Sequence, residues 1–155
     1  MNGWLQILMG VLGTLGFNIL FHLRGKKLLL STLGGLLSWS IFLGLSPLFS
    51  GEATRYLLSA AVITVYSEIL ARVEKTPTTT FLVPSIIPLI PGSALYYTMN
   101  YALNKQWSQF AAQAFYTLQL ALSLAVGIIT VTTVVRLITG VVTRQKNRKR
   151  TLYHH

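Results

Sequence analysis

The sequence predicts an all-α fold, a polytopic transmembrane helix bundle of five spans. The chain has 155 residues, of which 52% are apolar and only 10% are charged, a balance well outside that of soluble domains. Long runs without a charged residue divide the chain, and four of them exceed the roughly 20 residues needed to cross the hydrocarbon core. The basic residues also collect in alternate connections, as is typical of helices that cross a membrane in succession.

The charge-free runs set the bounds of the spans. They lie at 1–23, 28–51, 56–67, 76–104 and 106–135. The run 56–67 is short, but it becomes a span if Arg55 and Arg72 lie at its two ends. The predicted spans are Gly3–Leu23, Leu28–Phe49, Ala53–Ala71, Phe81–Leu103 and Phe110–Leu137. Residues 1–140 therefore form one transmembrane domain, and residues 141–155 form a basic cytoplasmic tail.

The positive charges predict the orientation of the spans. Because the connections of a five-span chain alternate between two sides, ten basic residues share one side: Arg24, Lys26, Lys27, Arg72, Lys75, Arg144, Lys146, Arg148, Lys149 and Arg150. Arg55 and Lys105 lie on the other side, and Arg136 lies in or at the end of span five. The positive-inside rule then places the N-terminus outside and the C-terminus in the cytoplasm. A basic tail there anchors the topology against anionic lipid, so no nucleic-acid partner is predicted.

Span four contains three prolines and a glycine in FLVPSIIPLIPGSALY, residues 81–96. A proline removes one helical hydrogen bond and pushes the preceding residue out of helical geometry. The three prolines are expected to free the carbonyls of Thr80, Pro84 and Ile87 and to break the helix. Since unpaired backbone in hydrocarbon is costly, the break predicts a covering cavity. The Pro91–Gly92 step lies about 16 Å along the span, near the middle of the bilayer.

The break is predicted to line a substrate pathway. Transporters place substrates at discontinuous helices near the midplane, where the N–H groups at the start of a half-helix bind anions. A half-helix that starts at Gly92 or Ser93 would direct these groups at a carboxylate. The predicted pathway residues are Pro84, Pro88, Pro91, Gly92, Ser93, Tyr96, Asn100 and, in span one, Asn18. The alternative for Asn18 is a polar bridge between helices.

Glu68 is an acidic residue within span three. An acid at such a position is a functional hypothesis by default, here proton coupling or gating together with Arg72. The alternative is a local ion pair with Arg72 at i+4, close to the cytoplasmic interface. The sequence leaves both interpretations open.

Small residues recur at the spacing of helix contacts, which lets helix backbones approach closely. They are Gly10, Gly13 and Gly16 in span one, Ser31, Gly34, Gly35 and Ser38 in span two, and Thr117, Ala121 and Ala125 in span five. Ordinary bundle packing is the expected role of these residues.

No catalytic, metal or cofactor site is predicted. The chain holds three carboxylates, Glu52, Glu68 and Glu74, and no cysteine, and it lacks hydrolase and metalloprotease motifs. His154 and His155 stand together without other ligands nearby. An enzyme is therefore not expected.

Five short spans bury little surface among themselves, and many transporters are assembled from two repeats around a central site. The chain is therefore expected to act in the lipid bilayer as one half of a larger unit. A second polytopic membrane subunit is the expected partner, and a homo-oligomer stays open.

The stretch from Ser67 to Tyr96, SEILARVEKTPTTTFLVPSIIPLIPGSALY, resembles the threonine/serine exporter family. It combines S-E-I-L-A-R with P-x-x-x-F-x-x-P and I-I-P-L-I-P-G-x-x-x-Y. In span one, GFNILFHLRGKKLL is similar to the basic-ended first helix of that family. The resemblance is to the small-subunit (YjjB-like) branch, which is similar to the C-terminal half of the longer ThrE-type exporters.

The resemblance implies a multi-pass subunit of an exporter in the bacterial cytoplasmic membrane. It implies a separate partner that supplies the N-terminal exporter half, and a small-molecule substrate. Threonine or serine is the first expectation for that substrate. Succinate or another dicarboxylate is the alternative, and a non-transporting membrane assembly subunit is a third hypothesis.

Overall fold

The computed structural model describes residues 3–152, with side chains described for residues 3–139. The helices are α1 (Gly3–Leu20), α2 (Lys26–Gly44), α3 (Glu52–Val73), α4 (Thr79–Ile86), α5 (Gly92–Leu103) and α6 (Trp107–Leu152), with a 3-10 turn at Ile87–Leu89 after α4. No strand occurs within this part of the chain. The predictions for His154 and His155, and for the side chains of the basic tail, lie outside the described residues.

The all-α transmembrane bundle is confirmed. Four stretches are long and apolar enough to cross a membrane: α1, α2, α3 and the part of α6 at Trp107–Thr139. The α4 helix with its 3-10 turn makes a fifth span together with α5 if the two cross as one unit, and the two parts meet at an angle of 57°. The predicted break in this segment is therefore confirmed.

The first two helices end earlier than hydropathy predicted. The α1 helix stops at Leu20 because His22 adopts a left-handed conformation with φ of 56°, and the Leu23 N–H then donates to the Asn18 carbonyl at 2.9 Å. This six-to-one hydrogen bond closes the helix end. The α2 helix stops at Gly44, shortly before Pro47, which cannot continue a helix.

The last helix is longer than predicted. It contains 46 residues, which corresponds to about 69 Å of helix, well over the roughly 30 Å of hydrocarbon. Its backbone continues beyond Leu137 as far as Leu152. The predicted boundary near residue 140 therefore falls inside a continuous helix.

The first three helices alternate in direction, with α2 packed between α1 and α3. Asn18 near the end of α1 donates to Thr32 near the start of α2 at 2.9 Å. Tyr66 late in α3 donates to the carbonyl of Leu30 early in α2 at 2.8 Å. Each pair is therefore antiparallel, as successive membrane crossings require.

In contrast, α3 and α6 run in the same direction along an extensive interface. Tyr116 in the early part of α6 donates to Glu52 at the start of α3. At the other end, Arg72 Nη2 donates to Thr139 Oγ1 at 2.7 Å. Two parallel spans need one crossing between them, so α4 and α5 together cross once.

The alternation gathers the connection after α1, the end of α3 and the end of α6 at one end of the bundle. This basic end carries Arg24, Lys26, Lys27, Arg72 and Lys75. The opposite end carries Arg55 and Lys105. Which of the two ends faces the cytoplasm stays a prediction.

Glycines in the interior allow the closest helix contacts. A Cβ at Gly34 would collide with the side chain of Ser85 in α4, and a Cβ at Gly35 would collide with Thr14 in α1. A Cβ at Gly127 in α6 would lie 2.6 Å from the carbonyl oxygen of Leu57 in α3. The helices therefore meet backbone to side chain, or backbone to backbone, at these points.

The core cluster joins four helices around the break in the fourth span. Its buried members are Phe42, Tyr56, Ile63, Leu89, Ala94 and Leu120. Leu89 and Ala94 lie on either side of Pro91 and Gly92, so apolar packing fixes both flanks of the break.

Candidate functional site

The break in the fourth span has a defined backbone geometry. Ile90 leaves the helical region with ψ of 125°, and Pro91 follows with ψ of 61°. The second half-helix, α5, begins at Gly92, as predicted. Ile90 is extended because it precedes a proline.

Only the third proline interrupts the span. Pro84 lies inside α4, and Pro88 lies in the 3-10 turn. The Ile87 N–H donates to the Pro84 carbonyl, and the Ile90 N–H donates to the Ile87 carbonyl at 3.1 Å. The expectation that these two carbonyls are freed is wrong, because the tighter 3-10 turn satisfies them.

The start of α5 lies open at the surface of the chain. Gly92 and Ser93 are exposed, and a Cβ at Gly92 would meet no atom within 4 Å. Tyr96 is 66% exposed. The Gly92 N–H donates to the Ile90 carbonyl at 2.7 Å, whereas the N–H groups that follow in the first turn of a helix lack intrahelical acceptors. The predicted covering cavity is therefore not closed by the described residues themselves.

The two earlier prolines line grooves on the α1 side of the span. Pro84 lines a groove of about 300 Å³ that also contains Thr79, Thr80 and Val83. Pro88 lines another of about 330 Å³ with Gln6 and Trp39 among its walls. Both grooves are open, and both follow the seam between α1 and the first half of the broken span.

Asn100 lies in the last turns of α5, away from the break. It is half-buried, and its side-chain oxygen accepts a hydrogen bond from Asn104 at 2.9 Å. The backbone carbonyl of Asn100 accepts a second bond from the same amide at 3.0 Å. Asn100 therefore closes the end of α5 in this structure.

Asn18 is fully buried between α1 and α2. Its side-chain nitrogen donates to Thr32 Oγ1 at 2.9 Å and lies 3.5 Å from the Leu28 carbonyl oxygen. Its side-chain oxygen has no partner among the described residues. The contacts are those of a bridge between the two helices, with one acceptor left unused.

Glu68 and Arg72 line a separate groove of about 180 Å³ between α3 and α6 at the basic end. Arg72 donates to Thr139 at 2.7 Å. Of the side chains described at residues 3–139, none forms an ion pair with Glu68. The alternative of a Glu68–Arg72 ion pair is therefore not formed here, although both side chains line the same groove.

The predicted site residues do not gather in one place. Gly92, Ser93 and Tyr96 lie at one open surface next to the break, whereas Pro91 itself is buried. Pro84 and Pro88 line the grooves beside α1, and Asn100 lies at the end of α5. Asn18 lies in the α1–α2 interface, and Glu68 with Arg72 lies in the α3–α6 groove. The structure does not join these places into a single cavity within the described residues.

A polar cluster that the sequence analysis did not single out lies at the start of α3. Glu52 Oε1 is 3.6 Å from Arg55 Nη2, and Tyr116 donates to the other Glu52 oxygen. The Arg55 guanidinium lies 5.0 Å from the centre of the Phe42 ring. The spacing of Glu52 and Arg55 was visible in the sequence, but the partners from α2 and α6 follow only from the packing.

Comparison with known proteins identifies one family. The sequence profile described as "Threonine/Serine exporter, ThrE" matches residues 6–134. The match runs from α1 into α6 and includes the broken span. No curated protein and no solved structure matches the chain.

Proposed function

The chain belongs to the threonine/serine exporter family, and we propose that it forms one side of an export pathway for small metabolites that carry a carboxylate. Threonine and serine are the first candidate substrates. A separate polytopic subunit supplies the other side of the pathway in this proposal, and the complex lies in the bacterial cytoplasmic membrane.

The observation that supports this proposal is the open position of the break. Gly92 and Ser93 are exposed on a span that is otherwise apolar. In hydrocarbon an unpaired backbone group costs several kcal/mol, so irregular backbone must be covered by protein or face water. A partner subunit that packs over α5 and leaves a polar channel would cover part of this backbone with protein and expose the rest to water.

The direction of α5 favours an anionic group in that channel. The N-terminal end of a helix carries a partial positive charge and free N–H donors. Ser93 and Tyr96 add hydroxyl groups on the open surface of the same half-helix. In this proposal a substrate carboxylate binds at the start of α5, with Pro91 and Gly92 holding the end of the helix open.

The test substitutes the two residues at the break, Pro91 and Gly92, in the complete exporter. We expect Pro91→Ala/Gly92→Ala, coexpressed with the partner, to lower efflux of labelled threonine by about tenfold or more, because misplacing a binding group by about 1 Å can cost about 100-fold. A Cβ at residue 92 meets no atom within 4 Å, so the loss would not come from a clash. Labelled succinate is measured in parallel to compare the two substrate classes.

The matched control is Gly44→Ala/Pro47→Ala, which changes an exposed glycine and proline at the end of α2. A Cβ at Gly44 also meets open space, and efflux should stay within about twofold, as expected of surface substitutions away from a site. Unchanged efflux of both substrates by the Pro91 variant, with normal complex assembly, would contradict the pathway and favour a non-transporting assembly subunit.

A further inference from the structure

A nearly buried arginine at the start of α3 has no hydrogen-bond acceptor among the described residues. The Arg55 side chain is 12% exposed, and its Nε atom is buried without a partner among the described residues. The nearest acid is Glu52, but the separation of 3.6 Å from Nη2 to Oε1 is too long for a hydrogen bond. The guanidinium therefore keeps unused donors.

Glu52 is engaged elsewhere. One of its oxygens accepts a hydrogen bond from the Tyr116 hydroxyl of α6. Its side chain is 46% exposed, so much of its charge is solvated rather than directed at Arg55. The acid thus offers partial neutralisation of the guanidinium and no strong bond.

Aromatic rings fix the position of the guanidinium. Arg55 Cζ lies 5.0 Å from the Phe42 ring centre, within the range of a cation–π contact. Phe42 is held in turn by Trp39, with ring centres 5.1 Å apart, and by Tyr56 at 4.8 Å. A ring face attracts the cation but accepts no N–H bond in the plane of the guanidinium, so the donor edge stays unfilled.

The chemistry that fits this edge is a carboxylate. The guanidinium presents donors in a planar fork that matches the two oxygens of a carboxylate. The guanidinium has the Glu52 carboxylate as a counter-charge, but its buried Nε has no acceptor among the described residues. A ligand carboxylate at this edge would add two charge-assisted hydrogen bonds. A hydroxyl or an ammonium group cannot complete the same fork.

The position of Arg55 relates it to the break. It lies at the end of the bundle opposite the basic end. Phe42 and Tyr56, which contact Arg55 or neighbour it, belong to the same apolar cluster as Leu89 and Ala94 on the flanks of the break. One layer of core side chains therefore connects the arginine with the interrupted span.

We propose that Arg55 binds the carboxylate of the exported substrate at the end of the pathway that lies opposite the basic end, and that Glu52 competes for the guanidinium when the substrate is absent. This inference rests on the proposed export function. It adds a second carboxylate contact, separate from the start of α5.

The test uses the assembled exporter with its partner in proteoliposomes. The exchange of labelled threonine is competed with unlabelled threonine and with threonine amide, which lacks the carboxylate. We expect Arg55→Gln to raise the half-saturating threonine concentration by about tenfold or more, the effect of losing charge-assisted hydrogen bonds. Its preference for threonine over the amide should shrink by the same factor. Arg55→Lys, which keeps the charge but loses the fork, should fall between.

Glu52→Gln separates binding from structural support. It removes the competing charge while its amide oxygen can still accept from Tyr116, so the half-saturating concentration should fall below that of the unaltered exporter. If Glu52 and Arg55 only stabilise the fold as a pair, both variants weaken transport in the same direction, and the proposal is overturned. Lys105→Gln removes an exposed cation at the same end and should leave the amide discrimination unchanged.

Different results would overturn the Arg55 site and the proposed export function. Normal threonine exchange with unaltered amide discrimination in Arg55→Gln overturns the Arg55 site alone. A complete absence of threonine and succinate exchange in the unaltered complex overturns the export function, and the Arg55 site with it.

Discussion

At the scale of single residues, polar side chains in this bundle either form hydrogen bonds within and between helices or have no partner among the described residues. Asn18 donates to Thr32 across the α1–α2 interface, and Thr14, Thr64 and Ser67 bond to carbonyls of their own helices. Side-chain hydrogen bonds between membrane helices contribute about 0.6 kcal/mol on average. A charged side chain without an ion-pair partner among the described residues, such as Glu68, is therefore more informative.

The first prediction at this scale concerns Glu68. Its carboxyl group faces the α3–α6 groove, and the cation one turn away bonds to Thr139 instead. If Glu68 takes up and releases a proton during export, Glu68→Gln fixes the protonated form in shape and charge. We expect efflux by this variant to lose its dependence on external pH, measured with the complete exporter.

The control for this prediction is Glu74→Gln, which changes an acidic residue at the C-terminal end of the same helix. Its pH dependence should match that of the unaltered exporter. An unchanged pH profile in Glu68→Gln would show that proton coupling does not use this residue.

At the scale of helices, the closest contacts occur where a glycine has no side chain. The α3–α6 interface is the most extensive in the bundle, and Gly127 lies at its closest point, where a Cβ would be 2.6 Å from the Leu57 carbonyl oxygen and 3.0 Å from the Ala60 Cβ. The neighbouring atoms belong to a helix backbone and cannot move away singly. Any larger residue must therefore separate the two helices.

Gly127→Ala is expected to destabilise the chain by about 1–3 kcal/mol, the usual cost of overpacking a tight interface. The measurement is thermal unfolding in detergent, compared with Gly13→Ala, whose Cβ would meet no atom within 4 Å. The Gly13 variant should be as stable as the parent chain or slightly more stable, since alanine favours the helix. Equal melting temperatures for the two variants would contradict the contact at Gly127.

Sequence patterns predicted which elements exist better than they predicted how the elements meet. The break at Pro91 was predictable because a glycine follows a proline there, whereas the helical path through Pro84 and Pro88 depends on 3-10 bonds that the sequence does not specify. In α2 the predicted small residues Gly34 and Gly35 are buried contacts. In α1, however, Gly13 has the same local pattern and faces open space, because the choice of face is made by the neighbouring helix.

The same difference between local and distant effects decides which residues of the candidate site could be predicted from the sequence. Pro91 and Gly92 could be located from the chain alone, since their effect on backbone geometry is local. Arg55 could not be distinguished from a residue of the connecting loop, because its burial comes from Phe42 of α2 and its competitor Glu52 is held by Tyr116 of α6. A side chain whose environment is built by distant parts of the sequence leaves no local pattern.

At the scale of the whole molecule, the directions of the helices make the topology testable. The parallel packing of α3 and α6, with the antiparallel order of α1, α2 and α3, requires the connection after α2 and the connection after α3 to lie on opposite sides of the membrane. The positive-inside rule assigns the second of these, beside Arg72 and Lys75, to the cytoplasm. Exposed prolines mark both connections, Pro47 after α2 and Pro77 after α3.

The chain contains no cysteine, so single cysteines at these two positions report the orientation directly. An impermeant maleimide added to intact cells should label Pro47→Cys and leave Pro77→Cys unmodified until the membrane is permeabilised, because only the first connection faces outward. The unaltered chain is the blank, and equal expression of the two variants is the control. Labelling of Pro77→Cys alone in intact cells would invert the assigned orientation, whereas labelling of both would contradict the crossing of the membrane by α3, which lies between the two positions.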